Sequence, residues 1–327
     1  MVDGTLSNLV REHVRVALAR AEDDFDTIVA DASELVDGEA DRAAVAAVAR
    51  EEFAAYREEQ RGWNGDLLDT ERLLAAFRDL DTDGVVARAD FACCQTCGVG
   101  EIGAQAAPGT DPVGYVFCHR QDVDAAARGE GLHLSFGAFA EDGDDAEIGR
   151  RAVRALRERG LTVEWDGQAT SRIHLPLTWR RRRYAHLART PGPEDGTGAG
   201  ADARTATTAG EVDDEATGLG VLYCDYTRGR AEDVPVPMTF EEFRGLLYAL
   251  VPAAGTFITC VGRSGRTVQG MWEEGLRFWL ETPDPEARCS YGRWATLDET
   301  AEVVRVLAEH DRVALTDLGD LETVVWS

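Results

Sequence analysis

The chain contains no lysine. Every fixed side-chain cation is therefore an arginine, and a composition rich in Arg, Ala and Gly fits a GC-rich genome. Positive charge is scarce overall: 34 basic residues stand against 60 acidic ones, a formal net charge of -26. Such a balance argues against general nucleic-acid binding and against adsorption to anionic membranes. It permits a basic protein partner, although a solvated acidic surface is the plainer reading. Long apolar runs are also missing, and nothing approaches the roughly 18 apolar residues of a membrane span. Met1-Val2-Asp3-Gly4-Thr5 carries neither the basic nor the apolar region of a secretory signal. The expectation is a cytoplasmic protein. There, seven cysteines, an odd count, are free, metal-bound or redox-active rather than bridged.

What is present is enough for two domains. A chain of 327 residues can build two cores, and 44% hydrophobic residues can fill them. Apolar residues recur at helical spacing over 5–21, 25–36, 40–60 and 69–82, with Asp69 as the expected cap of the last. The pattern changes at Val85. Strands are expected at 85–91, 114–119 and 132–136, with a short helix at 121–128 and a longer one, capped by Asp144, up to Arg159. Residues 161–165 and 172–179 read as a hairpin across Asp166-Gly167. Arg180-Arg181-Arg182-Arg183 reads as a solvated strand end paired with nearby acids. The first domain, 1–186, is thus α+β: a helical N-terminal layer and a small mixed sheet.

Residues 187–218 run from a Pro/Gly segment at 191–198 into alternating Ala, Thr, Gly, Asp and Glu, with no aromatic and almost no large apolar residues, so they cannot bury enough surface to offset their ordering entropy. They read as a flexible acidic linker. Residues 219–327 read as a second small α+β domain with an antiparallel sheet. Strands are expected at 221–227, 257–261, 268–272, 276–281, 289–294 and 323–326. Thr239 with Glu242, and Thr296 with Glu299, have the spacing of capping boxes. Cys224, Cys260 and Cys289 are dispersed through these strands and read as core thiols.

The stretch that carries chemistry is Asp90-Phe91-Ala92-Cys93-Cys94-Gln95-Thr96-Cys97-Gly98, where three cysteines fall within five positions. Cys118-His119 follows at the end of the next strand. Tetrahedral zinc takes four N or S ligands. Cys94 and Cys97 have knuckle spacing, His119 is the candidate third ligand, and Cys93 or Cys118 the fourth. Strand alternation lets only one of Cys118 and His119 face the loop. The rival chemistry is redox, with a CxxC thiol activated at a helix start, although Gly98, Gly100 and Gly103 make that helix poor. The bland alternative is that these cysteines line a core.

Phe91-Ala92-Cys93-Cys94-Gln95-Thr96-Cys97-Gly98, Gly114-Tyr115-Val116-Phe117-Cys118-His119-Arg120-Gln121-Asp122 and Val163-Glu164-Trp165-Asp166-Gly167 together resemble a largely actinobacterial, uncharacterised family, domain of unknown function 6891, over about the first 185 residues. That resemblance implies no activity. The C-terminal part is weakly similar, in element order, to immunity-type proteins of bacterial polymorphic toxin systems. Two functions follow. One is a non-enzymatic binding or immunity-type protein, with a zinc ion held at Cys93, Cys94, Cys97 and His119. The other is a zinc- or thiol-dependent enzyme centred on Cys94, Cys97 and His119, with Glu101 or Asp122 as general base.

Overall fold

The computed structural model describes residues 4–36, 42–63, 65, 67–191, 218–227, 229–274 and 276–326. The N-terminal layer is α1 (Gly4–Arg20), α2 (Phe25–Glu34), α3 (Arg42–Arg61) and α4 (Asp69–Thr82). Their apolar stripes meet in one core, in which Val14, Ile28, Phe53 and Phe77 are buried. Asp69 is the first helical residue of α4 rather than its cap. Glu71 reaches back instead, accepting from the N–H of Leu68 at 3.1 Å.

The first sheet has the order β1 (Val85–Arg88), β2 (Gly114–Phe117), β3 (Leu132–Ala138) and β4 (Ile173–Leu175). β1 and β2 are parallel, and the other pairs are antiparallel. A parallel pair needs a crossover. Here the crossover is the cysteine-bearing segment, with α5 (Gln95–Glu101) and a 3-10 turn (Ile102–Gln105). Thus α5 forms despite its glycines. α6 (Arg120–Ala127) follows β2, and α7 (Asp145–Glu158), capped by Asp144, follows β3. The hairpin expected over 161–179 shrinks to the short β4 and a single bridge, Glu164 to His174. The Asp166 carboxylate accepts from the Gln168 N–H and the Ser171 hydroxyl, which widens the connection beyond a tight turn.

After α8 (Ala185–Ala188) the expected linker falls mostly on residues 192–217, outside the described residues. The second sheet is wholly antiparallel, in the order β11 (Glu322–Val325), β10 (Cys289–Trp294), β9 (Arg277–Asp284), β8 (Thr267–Glu273), β7 (Phe257–Val261), β5 (Leu219–Asp225), β6 (Arg230–Met238). α9 (Phe240–Ala249) and α10 (Leu297–His310) begin with the expected capping boxes. The architecture is α+β throughout.

The arginine run corrects a sequence expectation. Arg182 and Arg183 are buried, not solvated. Arg182 donates to Glu71 at 2.8 Å, and Glu71 also faces Arg244 of α9 at 3.5 Å. Arg183 donates to the carbonyls of Leu187 (2.6 Å) and Leu18 (3.3 Å) and lies over the Phe53 ring. A guanidinium can be buried when its several donors all find acceptors and its face finds an aromatic ring. Burial draws the Arg183 guanidinium down to about 10. Further contacts join the two sheets' layers. Arg159 bridges Asp79 and Asp298, and Arg78 donates to the Leu250 carbonyl. Most buried apolar residues of both layers form one contiguous cluster, with Val86, Ile102 and Phe117 in a separate small one.

Candidate metal centre

The cysteine segment leaves β1 through two residues in the left-handed region, Asp90 (φ 51°) and Ala92 (φ 60°). Each costs a non-glycine residue about 1–2 kcal/mol, so the surroundings must hold it. They do so at three points. The Phe91 N–H donates to the Cys118 carbonyl at 3.0 Å, and the Arg120 N–H donates to the Ala92 carbonyl at 3.1 Å. Arg20 donates from Nε to the buried Asp90 carboxylate at 3.0 Å. Burial and the nearby Glu22 raise the Asp90 carboxyl above its ordinary value, against the pull of Arg20.

The backbone then turns into α5, with Cys94 as the extended N-cap residue (φ -154°, ψ 171°). The segment rests on a small cluster of Val86, Ile102 and Phe117, flanked by Phe91, Ala106 and Tyr115. Gly98 makes this possible. A Cβ at that position would lie 2.3 Å from Cε2 of Phe117. A glycine inside a short helix is the sequence signal of such close approach.

The Sγ atoms of Cys93, Cys94 and Cys97 all lie within 4.8 Å of one another. Cys93 is exposed, and Cys94 and Cys97 are half-buried. Sulfurs around a tetrahedral zinc lie about 3.8 Å apart, given a Zn–S distance of about 2.3 Å. The three thiols are therefore at coordinating range with little rearrangement. Their proton affinities differ. The Cys97 N–H, and then the Cys97 and Cys93 thiols, hydrogen-bond to the Cys94 sulfur and lower its pKa. Cys97 is pushed up to about 11, because its thiol donates to Cys93 and Cys94 and their negative charge opposes a second thiolate. Of this pair, Cys94 ionises first and Cys97 second.

His119 is not brought into this group, contrary to the expectation of a third ligand. It is buried and serves as the N-cap of α6, a role usually taken by Ser, Thr, Asp or Asn. Its Nδ1 accepts from the Asp122 N–H at 3.3 Å, and its Nε2 lies 3.0 Å from the Asp122 carboxylate. Both ring nitrogens are engaged, and burial lowers the imidazole pKa, with Arg172 adding to the effect. His119-Arg120-Gln121-Asp122 has the spacing of a capping box, which was the readable signal. Cys118 is fully buried with its thiol pKa raised by burial, and it stands outside the cluster. Asp122 is clamped by Arg172, whose NH1 donates to it at 3.0 Å. Glu101 is exposed at the end of α5. In the second sheet Cys260 and Cys289 are buried and Cys224 is half-buried. Sequence reasoning missed the strained Asp90 and Ala92 and the anchoring Arg20, none of which any local pattern announces.

The model of a family described as a domain of unknown function (DUF6891) matches residues 4–183. No curated protein and no solved structure matches the chain. No helix among the described residues is long and apolar enough to cross a membrane.

Proposed function

The chain belongs to the DUF6891 family, and on that premise we propose that it is a non-enzymatic binding protein that holds a thiophilic metal ion at Cys93, Cys94 and Cys97. The observation that carries this is the convergence of the three sulfurs within 4.8 Å on a pinned loop. Thiolates select soft or borderline ions such as zinc. In this reading the chain acts in the cytoplasm of an actinobacterial host, where the thiols stay reduced. Its partner is a basic protein, favoured by the charge of -26, with the C-terminal unit in an immunity-type role. An enzymatic zinc needs a general base; of the two candidates, the Asp122 carboxylate is committed to Arg172 and His119, which leaves only the exposed Glu101 at the end of α5. That weighs for binding over catalysis. The test is elemental analysis of protein purified without added metal, beside Cys97→Ser.

A second reading has its own observation. The lowered pKa of Cys94 beside a Cys97 raised to about 11 is the asymmetry of a thiol–disulfide pair, in which one cysteine attacks and the other resolves. A reduction potential measured for Cys94 and Cys97 in metal-free protein separates the two readings.

A further inference from the structure

Cys93, Cys94 and Cys97 supply three sulfurs, and no fourth His, Cys, Asp or Glu ligand atom lies with them among the described residues. Tetrahedral zinc takes four ligands. His119 and Asp122 hold each other, Arg172 holds Asp122, and Cys118 is buried outside the group. Glu101 is placed differently. It is the last residue of α5, four positions after Cys97. At 3.6 residues per turn, positions four apart leave a helix only about 40° from each other, with Cβ atoms about 5–6 Å apart. Helical side chains also lean toward the N-terminus, and for Glu101 that is the turn containing Cys97. Glu101 is exposed and forms no ion pair among the described residues. Turning its carboxylate toward the sulfurs therefore breaks no ion pair. The next residue, Ile102, is buried with Val86 and Phe117, which fixes the end of α5.

We propose that Glu101 is the fourth ligand of the metal ion, its carboxylate turning onto the three sulfurs when the ion binds. The inference rests on the metal reading above and goes past it by closing the site. A carboxylate oxygen binds zinc at about 2.0–2.2 Å and a thiolate at about 2.3 Å, so the two ligand types share one tetrahedron without strain. The assignment also decides which of two roles Glu101 takes. A general base acts on a water held at an open metal position, whereas a ligand fills that position. With Glu101 bound, the ion has four protein ligands and no place for a substrate, which is the form of a structural site.

The experiment compares the full chain with Glu101→Gln and Glu101→Cys, each loaded with zinc and with cobalt(II) as a coloured substitute. Chelator competition reads the zinc affinity, and the visible spectrum reads the number of thiolates on cobalt. Circular dichroism checks the fold of both variants, whose substitution is at an exposed position. Glu101→Gln is expected to weaken zinc binding by at least the roughly tenfold that loss of an outer-shell partner costs. Glu101→Cys is expected to keep zinc and to add thiolate-to-cobalt charge-transfer intensity, because a fourth sulfur takes the same position. Imidazole is expected to bind cobalt in Glu101→Gln and not in the wild-type chain. Zinc affinity unchanged in Glu101→Gln, or a Glu101→Cys spectrum that still reads three thiolates, overturns the assignment and leaves the three-sulfur site standing. So does imidazole that binds both chains equally. A wild-type chain that takes up neither ion overturns the metal reading itself, and the role of Glu101 with it.

Discussion

Gly98 of α5 approaches the ring of Phe117 so closely that a Cβ would sit 2.3 Å from Cε2. Phe117 is fully buried and cannot yield. Gly98→Ala therefore has to lift α5 off its cluster, at a cost of about 1–3 kcal/mol. Because α5 carries Cys97 and is capped by Cys94, the same change separates the sulfurs. Urea unfolding together with metal titration checks this. Unchanged stability with unchanged metal affinity would show that the crossover tolerates displacement.

The two CxxC thiols are expected to react in a fixed order. Cys94 is held below the ordinary thiol value and Cys97 is raised to about 11. In metal-free protein at about pH 8, iodoacetamide labels Cys94 well ahead of Cys97, since the thiolate is the nucleophile. Raising the pH narrows the difference as Cys97 ionises. Peptide mapping over a time course reads the order, and equal rates at these two positions would remove the asymmetry.

Glu71 is the shared partner of Arg182 and Arg244, with its side chain 4% exposed. Glu71→Ala removes the carboxylate from a buried guanidinium, which costs about 3–5 kcal/mol. Glu71 also accepts from the Leu68 N–H, so α4 loses its N-terminal support. Denaturant unfolding measures the loss. A change under about 1 kcal/mol would mean that the arginines find other acceptors readily.

Much of this fold was readable. The helices with strong periodicity and the Thr239/Glu242 and Thr296/Glu299 boxes appear where their spacing put them. β6 was not anticipated, because Pro235 and Pro237 argue against a strand; they are tolerated because β6 is at the edge of the sheet. The arginine run misled because burial of a guanidinium depends on acceptors distant in sequence, such as Leu18 and Glu71. In the site the cysteine triplet was visible from spacing alone. The engagement of His119 by Asp122 was hidden behind an unusual capping residue.

The composition of 187–218 makes that stretch the expected point of proteolytic entry. Limited proteolysis should cut there and give two folded fragments. They should remain associated, through Glu71 with Arg182 and Arg244, and Arg159 with Asp79 and Asp298. Native gel and mass analysis read both results. Resistance in this stretch would contradict the two-domain organisation, and dissociation would contradict the joint core.

The central claim is that Cys93, Cys94 and Cys97 hold a metal ion. Its most direct test is the metal content of the full chain purified without added metal or chelator, measured beside Cys97→Ser. About one thiophilic ion per chain, such as zinc, is expected, with its loss in the variant, because a hydroxyl does not replace a thiolate ligand. A wild-type chain free of metal that also fails to take up zinc, or a Cys97→Ser chain that retains its ion in full, would contradict it.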